Sequence, residues 1–204
     1  MTTLTFPRQE ITGVVLAGGR GSRMGGVDKG LVDLRGKPMV AHALDALRPQ
    51  VGWLFINANR HLDQYNIFGC KVVPDALDGY LGPLAGLASA MQAAATPYVV
   101  TVPCDSPLLA DDLVERLYRA LTRDNADISV AHDGERLHPV FALLKRELLP
   151  SLIDYLAAGE RKIDIWFARH ALAVADFSDR AETFINVNNP DERAALEARL
   201  AEAR

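Results

Sequence analysis

The sequence predicts an α/β fold of three layers, a mostly parallel sheet covered by helices on both faces. Three observations predict it. Strand-like and helix-like segments alternate through the first 125 residues, the pattern of parallel strands joined by helical crossovers. The first strand-like segment is an unbroken apolar run rich in β-branched residues, as in strands buried on both faces. That run ends in a glycine-rich loop, where an open α/β sheet places its ligand.

The elements follow in order. Residues 11–17 (ITGVVLA) read as a buried strand that stops at Gly18-Gly19. Residues 38–47 carry Met39, Val40, Ala43, Leu44 and Leu47 at helical spacing, with a proline in the first turn. A strand is expected over 51–58, a short helix over 61–68 closed by Gly69, and a short strand over 71–73. A helix rich in small residues spans 82–95, and a strand over 98–102 stops at Pro103. An amphipathic helix covers 110–121. Strands over 128–132 and 140–144 flank the turn Asp133-Gly134, and helices over 146–158 and 162–169 flank Gly159. A late strand spans 172–176, and a terminal helix over 190–203 starts from Asn189 as its N-cap.

Composition bounds the function. The 204 residues are 49% hydrophobic and 24% charged, the mix of a soluble globular chain able to bury one core. The reading is one domain over 1–204. The net charge of −4 argues against a non-specific nucleic-acid binder, which is usually basic. No apolar run approaches the roughly 20 residues of a membrane helix. The start MTTLTFPRQE lacks the basic and apolar regions of a signal peptide. Cys70 and Cys104 form no CxxC pair, which points to a reducing, cytoplasmic compartment.

The loop after the first strand carries the chemistry. Between Leu16 and Lys29 lie Ala17, five glycines (Gly18 and Gly19 among them) and the cations Arg20 and Arg23. Glycines let backbone amides approach an anion, and arginine and lysine supply charge to phosphate oxygens. The reading is a polyphosphate cradle. It is not a P-loop: from Gly21 the residue after the sixth position is Val27 where lysine is required. Nor is it the dinucleotide fingerprint: from Gly19 the last glycine position holds Met24.

Other residues converge on that loop. Asp105 follows the strand over 98–102 and suits Mg²⁺, which takes one or two carboxylates plus substrate phosphates; the plainer alternative is a turn-capping Asp. Asn57 and Asp75 end two further strands, where an amide or carboxylate oxygen can accept N–H donors of a ligand, or simply form turns. Gly82 to Gly86 opens a helix with small residues, against which a base can lie close to the backbone. His132, His138, Arg161 and Lys162 add donors in the second half. Asn186 and Asn188 alternate, so both point one way.

LAGGRGSRMGGVDKGL resembles the LAGG-x-[SG]-x-R-[ML]-G-x-x-K signature of nucleotidyltransferases, and its GGVDK form is similar to that of the molybdenum cofactor guanylyltransferases. The likeness continues in order through Ile56–Arg60, VPD (73–75), GPLAG (82–86), PCDSP (103–107), HDGER (132–136), AGER (158–161) and FINVN (184–188). It implies a Rossmann-like, nucleotide-diphospho-sugar-transferase-like fold. It implies GTP bound by Leu16, Ala17, Gly18, Gly19, Lys29, Asn57, Asp75, Gly82 and Asp105, with Mg²⁺ on Asp105. Lys29, Arg23 and Asp105 would be catalytic, and Arg161, Asn186 and Asn188 would face a pterin acceptor. The implied reaction is GMP transfer from GTP to the terminal phosphate of molybdopterin, with molybdoenzymes or cofactor-biosynthesis proteins as partners. The alternatives are the CTP-dependent cytidylyl reaction, a sugar-1-phosphate nucleotidyltransferase and a non-catalytic nucleotide-binding adaptor.

Overall fold

The computed structural model describes residues 6–18, 28–76 and 82–202. Its sheet has seven strands: β1 (Ile11–Leu16), β4 (Trp53–Asn57), β5 (Lys71–Val73), β6 (Tyr98–Pro103), β7 (Ile128–His132), β8 (Leu137–Lys145) and β9 (Leu172–Asp176). Their spatial order is β5-β4-β1-β6-β8-β7-β9. β5, β4, β1 and β6 are parallel, and so are β7 and β9; β8 alone runs against both its neighbours. The sheet is therefore mostly parallel, as the alternating pattern predicts.

Seven α-helices lie among the described residues: α1 (Met39–Leu47), α2 (Leu62–Asn66), α3 (Pro83–Ala93), α4 (Leu113–Arg123), α5 (Leu149–Ala157), α6 (Ile163–Phe167) and α7 (Pro190–Glu202). Val40, Leu44 and Leu47 of α1 and Leu113, Leu117 and Leu121 of α4 pack with Val15 and Ile56 on one face of the sheet. Leu84, Leu87 and Met91 of α3, Leu152 and Leu156 of α5 and Trp166 of α6 pack with Val14 and Phe55 on the other. β1 is thus buried on both sides, and each fully buried leucine in these layers contributes about 1.5–3 kcal/mol.

Several element ends lie one to three residues from expectation, the α-helix expected from residue 146 starting at Leu149 and the strand expected from 51 at Trp53, and three further departures stand out. First, Pro38 does not lie inside α1. It ends a two-stranded hairpin of β2 (Asp33–Leu34) and β3 (Lys37–Pro38). Arg35 and Gly36 turn it at φ +56° and +81°, the pair of positive angles a tight hairpin turn demands. Second, β8 begins at Leu137 and runs through Pro139. The ladder shifts register between Val130 and Ala131, and a bulge tolerates a residue that cannot donate. Third, the helix expected from residue 110 starts at Leu113.

A small third cluster positions the site. Leu34 and Met39, from the start of the chain, pack against Val187 and Leu196 near its end. This contact draws the segment around Asn186 and Asn188 across to the residues that follow the glycine loop.

Candidate active site

The register sets out the site. Leu16 of β1 pairs with Asn57 of β4 on one side and Pro103 of β6 on the other, and Asn57 pairs with Val73 of β5. The residues that follow these four, Ala17, Ala58, Cys104 and Pro74, therefore leave the sheet along one carboxyl edge. Ala17 N donates to Asn57 O at 2.8 Å and Cys104 N to Leu16 O at 3.1 Å, so the ladder continues just past the strand ends.

On the β1–β6 side of this edge, Lys29 meets Asp105. Lys29 Nζ lies 3.1 Å from Asp105 Oδ2 and donates to Asn188 Oδ1 at 2.6 Å. The Asp105 carbonyl accepts from Val187 N at 2.9 Å. The buried Ser106 donates its hydroxyl to Asn186 Oδ1. Val187 is buried while Asn186 and Asn188 face the cleft, so the alternation expected of them is present. Glu192 holds the segment from below: Oε2 accepts from Asn188 N at 2.6 Å, and Glu192 N donates to the N-cap Asn189 at 2.8 Å.

On the β4–β5 side, Asn57 Nδ2 donates to Asp75 Oδ1 at 2.9 Å and to Val73 O at 3.0 Å. Asn59 donates to Asp75 Oδ2 at 2.8 Å and accepts from Asp75 N. Gly86, one turn into α3, faces this pair: a methyl there would stand 2.2 Å from Asn57 Oδ1. Gly18 lies against the same two asparagines, and Gly82 precedes α3 at φ +73°. Ser89 Oγ accepts from Ala76 N at 2.8 Å and ties the end of this stretch to α3.

Gly19 and Arg23 lie outside the described residues. Arg161 does not join the others. It donates to Leu156 O and Glu160 O of its own turn. Asp133, Arg136, His138, Phe184, Asn186 and Asn188 line a cleft of about 390 Å³ that opens beside Lys29's partner Asn188. In it His138 Nε2 lies 2.7 Å from Asp133 Oδ2, and the ring stacks on Phe184 with centroids 4.1 Å apart. A larger cavity of about 560 Å³ lies at the opposite, amino end of the sheet, around Thr12, Trp53 and Lys71. It contains none of the expected site residues, so size alone does not mark this site.

Electrostatics leave no thiolate nucleophile here. Burial, followed by the charges of Asp105 and Asp28, pushes the Cys104 thiol up. Among the described residues no group of three or more His, Cys, Asp or Glu side chains gathers as a metal cage. Asp105 is a single hard carboxylate donor, which suits Mg²⁺ shared with phosphates and not a zinc centre.

Sequence reasoning missed three participants. Asn59 follows Asn57 by two positions, the same alternation that singled out Asn186 and Asn188, and could have been found that way. Asp28 and Tyr65 carry no local signal, because they matter only through each other: the Tyr65 hydroxyl donates to Asp28 Oδ1 at 2.5 Å.

Comparison with known proteins gives the family and the fold. The MobA-like NTP transferase domain matches residues 13–175. Molybdenum cofactor guanylyltransferase of Shewanella sediminis is 52% identical over 94% of this chain and 98% of its own length. The protein of the same name from Shewanella piezotolerans is 50% identical over 94% of each chain. Molybdopterin-guanine dinucleotide biosynthesis protein A of Archaeoglobus fulgidus, a solved structure, has the same fold. Its TM-score is 0.78 over 94% of this chain and 99% of its own, at 21% identity. This chain belongs to the molybdenum cofactor guanylyltransferase family, with the MobA-like NTP transferase domain as its body.

Proposed function

We propose that this protein transfers GMP from GTP to the terminal phosphate of molybdopterin, releasing pyrophosphate and forming the guanine dinucleotide cofactor. An acceptor phosphate oxygen forms a bond to the α-phosphorus, and the bond from that phosphorus to the bridging oxygen of the β-phosphate breaks. The acceptor oxygen is already anionic near neutral pH, so no general base is needed. The barrier is repulsion between anions and the charge growing on pyrophosphate.

The observation that carries the reading is the meeting of Lys29, Asp105 and Asn188 on the edge that also holds Asn57 and Asp75. In this reading Leu16 to Gly19 supply backbone to the triphosphate, and Arg23 and Lys29 neutralise its charge. Asn57, Asp75 and Gly82 flank the guanine nucleoside. Asp105 would hold Mg²⁺, which when bound supplies Lewis-acid charge at the phosphates. Asn186 and Asn188 face the pterin phosphate from the cleft beside them, while Arg161, held to Leu156 O and Glu160 O of its own turn, is left out of this set. The chain works as one domain, with residues 1–125 mainly on GTP and 126–204 mainly on the acceptor. Cys70 and Cys104 are free thiols, which supports a cytoplasmic setting. Among the described residues no helix is long and apolar enough to cross a membrane.

The test is incubation with molybdenum-loaded molybdopterin, Mg²⁺ and an equimolar mixture of GTP and CTP. Pyrophosphate release with a guanine dinucleotide product supports the reading. A cytosine dinucleotide moves it to the cytidylyl reaction, and neither product removes it.

A further inference from the structure

The residue before Lys29 is a buried carboxylate that the proposed chemistry does not use. Asp28 is 8% exposed and receives three donors. Gly30 N donates to Oδ1 at 3.2 Å, the Tyr65 hydroxyl to Oδ1 at 2.5 Å, and His61 Nδ1 lies 3.0 Å from Oδ2. Lys29 itself points the other way, to Asp105 and Asn188. The charge of Asp28 is therefore met by hydrogen bonds from α2 and its N-cap, and its side chain clamps the backbone on which Lys29 stands.

Two further features are shaped around this contact. A methyl on Gly30 would stand 2.5 Å from the Tyr65 hydroxyl, so only glycine leaves the phenol its path to Asp28. His61 holds a left-handed backbone at φ +51°, and such a conformation persists in a non-glycine residue only where its surroundings hold it. Burial, then the bond to Asp28, pushes the Tyr65 phenol up, so it stays a neutral donor. His61 ends the connection that runs from Asn57 to α2, and Tyr65 lies within α2. The clamp thus joins the phosphate side of the site to its base side.

We propose that Asp28 is a positioning residue for nucleotidyl transfer, acting through Lys29 by anchoring it to α2 and its N-cap through Tyr65 and His61. The proposal rests on the functional reading above, and its test separates the two. Asp28→Ala lowers kcat by on the order of 10²-fold, the scale for a charge displaced by about an ångström, and weakens GTP binding by no more than Lys29→Ala does, because Lys29 is the triphosphate contact it displaces while Asn57 and Asp75 are untouched. In a Lys29→Ala background the same substitution lowers kcat by less than about twofold, since a residue acting through Lys29 has nothing left to position. Tyr65→Phe repeats the pattern with a smaller loss and serves if Asp28→Ala fails to fold.

A second readout needs no nucleotide. Competitive labelling with acetic anhydride, scored by mass spectrometry against Lys145, finds Lys29 several-fold more reactive in Asp28→Ala and in Tyr65→Phe than in the parent. Equal fold-losses in the two backgrounds, or Lys29 labelling that does not change, overturns the proposal. If the parent protein makes no dinucleotide, the functional reading fails and the labelling alone decides whether Asp28 positions Lys29.

Discussion

Lys29 Nζ and Asp105 Oδ2 stand 3.1 Å apart although 76 positions separate them in the chain. In the proposed reaction, opposite charges at the carboxyl edge of one sheet would give a triphosphate and its counter-ion a single meeting place. Because both groups act on the same developing charge, Lys29→Ala and Asp105→Ala should each lower turnover by roughly 10²-fold or more, the scale of losing one preorganised charge. The double variant should lose less than the product of the two losses, because the partners work as a unit. Steady-state pyrophosphate release from the four proteins checks this; near-parent rates in either single variant would remove the pair from the chemistry.

Gly86→Ala tests the base side. Alanine in a helix interior ordinarily gains about 1 kcal/mol over glycine. Here the methyl would stand 2.2 Å from Asn57 Oδ1, and overpacking of this kind costs about 1–3 kcal/mol. The clash outweighs the propensity, so the melting midpoint falls. Displacing Asn57 also disturbs Asp75, its partner at 2.9 Å, so the KM for GTP rises by about tenfold while kcat changes little. Calorimetry and a GTP titration read the two effects separately; an unchanged KM would take Asn57 out of the nucleotide site.

Much of this arrangement was legible in the sequence, for reasons that can be named. β1, β4 and β6 are short apolar runs ended by Gly, Asn or Pro, so period and punctuation agree. The positions of Asn57, Asp75 and Asp105 at strand ends follow directly. The hairpin at Arg35-Gly36 was not legible, because two-residue strands have no period to read. Pro139 hid the first part of β8, since the bulge that tolerates it is a property of the pairing with β7. The bond from Lys29 to Asn188 spans 159 positions. It exists because Leu34 and Met39 pack on Val187 and Leu196, a contact that local pattern does not encode. Asp28 was opaque for the same reason: its meaning lies in Tyr65, 37 positions later.

Metal removal separates catalysis from folding. With Asp105 as the proposed anchor and no acidic or thiol cage among the described residues, a divalent ion contributes to phosphate charge and not to the core. Exhaustive chelation should therefore abolish transfer and leave the melting midpoint of the free protein within about a degree. Activity should return with Mg²⁺. A large drop in the midpoint on chelation would reveal a structural metal and count against Asp105 as an open, shared site.

Acid should loosen the turn that borders the cleft. The Arg136 amide, then the His138 ring, then the Glu135 amide hold the Asp133 carboxyl well below the usual carboxylate range. A carboxyl depressed in the folded state stabilises it above the ordinary value of about 4, and that contribution is lost as pH falls through the folded value. The parent protein should therefore lose thermal stability more steeply than Asp133→Asn as pH is lowered from 5 toward 2, the gap between the two curves narrowing throughout. At pH 7 the variant should be the less stable, because the amide offers Arg136, Glu135 and His138 no charge. Melting midpoints recorded across this range for both proteins decide it: parallel curves would mean that Asp133 does not carry the acid sensitivity of the turn.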